Sequence, residues 1–137
     1  MRYVLMVMTA ILALSGLVIG GVHMLGGFVG YADFVGNGDL GDIVDTKGYL
    51  YHDNASRFLG GIFLTLGLGF LYCLYELDSK TQLFHFLLLC IFVGGLARII
   101  GWFDLGLIPS TVPATAIELV FPPVILLIER GLHSAND

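Results

Sequence analysis

Charge is scarce in this sequence: Asp, Glu, Lys and Arg together make up 12% of it, about half of the roughly 25% carried by an ordinary soluble domain. So little charge cannot cover a water-facing surface. Of the 137 residues 57% are hydrophobic, and mean hydropathy is +0.90. A core of this size cannot hide that many apolar residues. The outer surface must be apolar and the solvent lipid. With six basic and eleven acidic residues, net charge −5, no nucleic-acid partner is expected.

Reactive and ligating side chains are also few. Only Cys73 and Cys90 are present, and their expected depths, near the end of one helix and the middle of the next, argue against a disulfide. The sequence has no Cys-x-x-Cys, His-Glu-x-x-His, Gly-x-x-x-x-Gly-Lys-Ser/Thr phosphate loop or Gly-x-Ser-x-Gly turn, which removes the common redox, zinc, P-loop and serine-hydrolase signatures. His23 and His85 fall near opposite ends of their helices, so they cannot face each other as haem ligands at a common depth. No cofactor and no metal site is expected.

What the sequence has is long apolar runs: Tyr3 to Leu25, Phe58 to Tyr75, Leu83 to Ile100 and Val112 to Ile128. Crossing a bilayer takes roughly 17 to 25 mostly apolar residues, so each run qualifies. The expected fold is all-α, a single integral membrane domain over residues 1–137 forming a four-helix transmembrane bundle. The first run could be taken for a secretory signal ending near Ala13-Leu14-Ser15. Its apolar stretch continues well past that point, beyond the roughly 7 to 15 residues of a signal core, and it is read as a retained helix. The compact basic turn at Asp78-Ser79-Lys80 and the acidic long loop favour both termini in the cytoplasm. The expected location is a bacterial inner membrane.

Between the first two helices a loop from about Gly30 to Asp53 holds Asp33, Asp39, Asp42, Asp45 and Asp53 against Lys47 alone. Asp39, Asp42 and Asp45 recur at every third position, whereas a calcium loop of the EF-hand type needs alternating acids, a central Gly and a terminal Glu. A solvated loop is the expectation, with a lid or docking surface as the functional alternative. Glycine organises the spans themselves. Gly16 with Gly20, Gly26 with Gly30, and Ala97 with Gly101 have the small-xxx-small spacing that lets helix backbones approach in lipid, within the chain or as a dimer seam. Gly60, Gly61, Gly67 and Gly69 thin the second helix likewise.

Ionisable residues inside apolar helices are expensive and carry the functional signal. Arg98 and Glu118 lie within the third and fourth runs. Arg57 opens the second, with Asp53 four residues earlier in the favourable acid-first order and Asn54 available as a cap. Asp104 follows Arg98 in the link, where Trp102 reads as an interfacial anchor and Ser110 or Thr111 can cap the fourth helix. Two readings of this layer stay open. An Arg98–Glu118 ion pair could lock two helices while Arg57 reaches the headgroups. Alternatively, two arginines against one glutamate leave a guanidinium to be matched by a carboxylate or phosphate. Pro122-Pro123 should kink the fourth helix below Glu118.

The segments Asn54-Ala-Ser-Arg57-Phe-Leu-Gly60-Gly61, Gly95-Leu-Ala-Arg98-Ile-Ile-Gly101, Asp104 to Pro109 and Glu118-Leu119 resemble a family of small bacterial four-helix membrane proteins known as a domain of unknown function. The resemblance runs over about Asn54 to Arg130. It implies the four-helix fold and importance for Arg57, Arg98 and Glu118, but no activity. The leading functional expectation is a non-catalytic accessory or binding protein. Its outer-face layer of Arg57, Arg98, Glu118, Asn54 and Asp104 would hold an anionic lipid, a small acid, another membrane protein or a second copy of the chain in a homo-oligomer. The alternatives are a small membrane enzyme with Glu118 as acid or base on an anionic or lipidic substrate, and a transporter or proton path.

Overall fold

Four long helices account for nearly all of the described chain. The computed structural model describes residues 2–36, 47–75, 80–107 and 109–134, and no strand occurs among them. The helices are α1 (Arg2–Phe34), α2 (Lys47–Tyr75), α3 (Thr81–Leu105) and α4 (Val112–Ser134), with a short 3-10 turn at Pro109–Thr111 before α4. All four are long and apolar enough to cross a membrane, which makes the chain a multi-pass membrane protein. Asp39, Asp42, Asp45 and the turn at Asp78-Ser79 lie outside the described residues.

The helices run beyond the apolar stretches that predict them. α2 begins at Lys47 rather than near Phe58, and α3 continues to Leu105 rather than Ile100. The apolar run marks what lipid must touch. It does not mark where the backbone stops being helical, because a polar turn stays helical once it projects past the hydrocarbon. Two assignments change as a result. Asn54 is an exposed residue inside α2 rather than the cap at its start, and Asp104 lies on the last turn of α3 rather than in a link.

The chain divides into two compact units. Residues Ile11–Leu71 form one; Met1–Ala10 together with Tyr72–Asp137 form the other. In the first, α1 and α2 meet along a glycine seam. A Cβ added to Gly16 would stand 2.9 Å from the Gly67 Cα, and one on Gly20 or Gly60 would overlap the opposing backbone at Leu64 or Met24. Backbone contact of this kind is how helices associate where lipid provides no hydrophobic drive. The Gly16–Gly20 spacing is therefore used within the chain. A Cβ on Gly101 or Gly61 would meet nothing within 4 Å, so these glycines leave open surface.

In the second unit α3 packs on α4, and Gly95 of α3 admits Leu119 and Glu118 of α4. Phe84, Leu87, Leu88 and Ile125 are buried there, as is Thr115, whose hydroxyl donates to the Thr111 carbonyl at 2.9 Å. Pro122 and Pro123 lie within the continuous span of α4. Cys73 and Cys90 are both free thiols.

Candidate functional site

α1 is broken at Gly27, whose backbone (φ 64°, ψ −151°) is non-helical. Such a conformation suits glycine alone. The preceding helix, residues 2–26, extends about 37 Å at ~1.5 Å per residue, so the break comes after a full span's worth of helix. A break leaves carbonyls without donors on one side and amides without acceptors on the other, a severe cost near hydrocarbon. One turn of α2 supplies both partners. Arg57 Nη1 donates to the carbonyls of Met24 (3.2 Å) and Leu25 (3.0 Å), and Asp53 Oδ1 accepts from the Phe28 amide (2.9 Å). The two side chains join each other through Arg57 Nε and Asp53 Oδ2 at 2.8 Å. The acid-first spacing thus has a second purpose beyond pairing: it places a cation at the carbonyl end of the break and an anion at the amide end, matching the dipole of each helix terminus. A Cβ on Gly27 would overlap the Asp53 carboxylate.

Beside this clasp runs an open groove of about 530 Å³, walled by Met24, Phe58, Ile62 and Leu66 with Gly61 at its floor. Thr65 also lines it, its hydroxyl satisfied by the Gly61 carbonyl at 2.9 Å. Arg57 stands at one end, its side chain 47% exposed. Its Nε and Nη1 are engaged, and its Nη2 has no acceptor among the described residues. A further polar tie joins α1 to α2 nearby: His23 Nδ1 and the buried Ser56 Oγ share a hydrogen bond of 2.6 Å, with the His23 ring stacked on Tyr31 at 3.7 Å.

In the other unit, Arg98 Nε donates to Glu118 Oε2 at 2.8 Å, tying α3 to α4 with side chains 27% and 16% exposed. The anticipated ion pair is thus present, but through one nitrogen rather than a two-pronged fork, so Nη1 and Nη2 of Arg98 have no acceptor among the described residues. Trp102 Nε1 donates to Thr111 Oγ1 at 3.0 Å, fixing the end of α3 to the turn before α4. Asp104 is exposed and makes no hydrogen bond among the described residues. The premise of two arginines facing a single carboxylate is corrected by these contacts. Each arginine has its own acid, Asp53 for Arg57 and Glu118 for Arg98.

A third pair escapes the sequence reading. His85 Nε2 lies 2.6 Å from Glu129 Oε2, with Glu129 buried. The apolar run ends at Ile128, so Glu129 passes for the first residue of a polar tail. Antiparallel register could have revealed it: His85 lies thirteen residues before Arg98, and Glu129 lies eleven after Glu118. A partner for Arg98 at Glu118 therefore brings Glu129 close to His85. No group of three or more His, Cys, Asp or Glu side chains that could hold a metal occurs among the described residues.

No curated protein and no solved structure matches the chain. A family model does, that of the domain of unknown function DUF4345, over residues 4–129. The matched stretch takes in the broken first helix, the Asp53–Arg57 clasp and both ties between α3 and α4, and on its extent the chain belongs to the DUF4345 family.

Proposed function

We propose that this protein is a non-catalytic binding protein of a bacterial inner membrane, with both termini in the cytoplasm, that holds an anionic lipid through Arg57 and the groove beside it. The observation that carries the reading is the groove of about 530 Å³ with apolar walls and a guanidinium at one end. That is the polarity pattern of a single lipid, a charged head followed by an acyl chain. Arg57 is held in place by Asp53 and two carbonyls, yet keeps the two N–H groups of Nη2, and guanidinium donors suit phosphate oxygens. The Asp53–Arg57 pair is neutral overall, so the free Nη2 recognises phosphate by directed hydrogen bonds, and a lipid whose own choline cation lies beside that phosphate is the poorer match. Arg98 retains two nitrogens of the same kind and is the second place at which an anion could be met. Glu118 is already bonded to Arg98, which supports a structural role for it over that of a catalytic acid. An accessory role beside a larger membrane protein is compatible with the same lipid contact.

The test is native mass spectrometry of the protein released from membranes containing phosphatidylglycerol and phosphatidylcholine. Gly61→Leu puts a side chain into the groove without displacing backbone, since its Cβ enters open space. Retained phosphatidylglycerol should fall by about tenfold in Gly61→Leu, about 1.4 kcal/mol, because the acyl chain loses its seat while Arg57 is left in place. Equal retention of both lipids, or a Gly61→Leu variant that holds phosphatidylglycerol as the parent does, would refute the reading.

A further inference from the structure

α3 and α4 are tied at two levels, by Arg98–Glu118 and by His85–Glu129, and between the ties they part to form a cleft of about 200 Å³. Leu88 and Pro122, both buried, form its floor, while Phe92, Pro123 and Leu126 line it and His85 closes one end. At this size the cleft is smaller than the roughly 300–1,000 Å³ of sites for drug-sized ligands, so it takes a single ring or a short chain. A planar phenyl ring and two conformationally restricted pyrrolidines make a rigid wall, better matched to a planar ring than to a mobile acyl chain.

The polar end sets the chemistry. His85 uses Nε2 on Glu129, and its Nδ1 has no partner among the described residues. In a low-dielectric setting the pair is cheapest when it carries no net charge. It has two such forms, imidazolium with carboxylate and neutral imidazole with carboxylic acid. In the first both ring nitrogens carry hydrogen. In the second the acid donates to Nε2, and the ring hydrogen sits on Nδ1. In both charge-neutral forms Nδ1 offers a donor, whereas only the net-negative form, neutral imidazole donating Nε2–H to the carboxylate, would make it an acceptor; the complementary ligand atom for the charge-neutral pair is therefore an acceptor. Charged ligands of either sign are disfavoured by the same reasoning, because neither neutral form of the pair supplies a net counter-charge.

We propose that this cleft binds a membrane-dissolved planar ring bearing carbonyl oxygens, of quinone chemistry, with one carbonyl accepting from His85 Nδ1 and the ring lying against Phe92 and the two prolines. The site is separate from the Arg57 groove and asks for a neutral acceptor instead of an anion. The test is equilibrium binding of a decyl-substituted benzoquinone to the detergent-solubilised full chain, with decylbenzene as the control that keeps the ring and tail but lacks the carbonyls. Saturable quinone binding is expected, at least about tenfold tighter than decylbenzene. Replacing His85→Leu and Glu129→Leu together removes the donor without orphaning a buried acid and should abolish that preference. Leu126→Trp, which keeps the pair and fills the cleft, should remove binding of both compounds. Equal binding of quinone and decylbenzene would overturn the proposal, as would undiminished quinone binding in either variant or no saturable binding to the parent chain.

Discussion

Glu118→Gln should destabilise the protein more than Glu118→Gln combined with Arg98→Gln. The parent pair has one bond of 2.8 Å between side chains 27% and 16% exposed. With charge centres ~4 Å apart and an effective dielectric near 20, the Coulomb term is about 4 kcal/mol. Partial exposure and the cost of desolvating both groups reduce what survives. Removing the acid alone strands a guanidinium between helices, at a cost of roughly 2–4 kcal/mol. Removing both charges leaves two amides able to hydrogen-bond each other, at a cost of about 0–2 kcal/mol, so the double variant should fall short of the summed single effects by about 2 kcal/mol or more. The assay is reversible unfolding in mixed micelles followed by circular dichroism for the parent, the two single variants and the double variant. Additive losses would show that the two side chains do not depend on each other, and that the 2.8 Å contact does not hold α3 to α4.

Two further outcomes follow from the α1–α2 unit. Gly60→Leu drives a side chain into the backbone of α1 at Met24 and should lower the unfolding temperature sharply, whereas Gly61→Leu, facing open space, should leave it nearly unchanged. Equal effects in a thermal melt would contradict the seam. Asp53→Asn weakens the acceptor for the Phe28 amide and the partner of Arg57, so hydrogen exchange should accelerate at Phe28 and the residues just after Gly27 while the rest of α1 stays protected. Uniform exchange along α1 in the variant would mean that the clasp does not hold the break.

Much of the fold was legible because lipid imposes a simple rule. Apolar runs of spanning length become helices, and all four did. The residues around Asp53 were harder, since polarity there says only that they leave the hydrocarbon, not that they leave the helix. The i,i+4 spacing of Asp53 and Arg57 was visible, and so was Gly26 with Gly30 at the end of the first run. Their connection was not, because it depends on α1 and α2 packing so that one turn of α2 lies against one break in α1, a long-range fact that no local pattern encodes. The Arg98–Glu118 pair was legible because both charges stand alone within apolar runs. Glu129 was hidden by its neighbour Arg130, which made the two look like an ordinary polar end.

The accounting of charge also constrains what the protein can recognise. Asp53 with Arg57 and Arg98 with Glu118 form one-to-one ion pairs, and His85 is hydrogen-bonded to Glu129, so neither arginine offers a whole unmatched charge. Leaving one unmatched at these depths would cost more than an occasional ligand returns. Recognition is then left to the hydrogen-bonding positions the pairs do not use: Nη2 of Arg57, both terminal nitrogens of Arg98, and Nδ1 of His85. The arginine nitrogens are donors in every state, and Nδ1 of His85 is one when its pair with Glu129 is charge-neutral. Ligands that fit this protein therefore bring acceptor oxygens, and their affinity should depend on how many of those oxygens reach the open nitrogens more than on formal charge. A titration across lipids of equal charge and different oxygen count would separate these two dependences. An affinity that tracked charge alone would mean that one of the three pairs opens when ligand arrives.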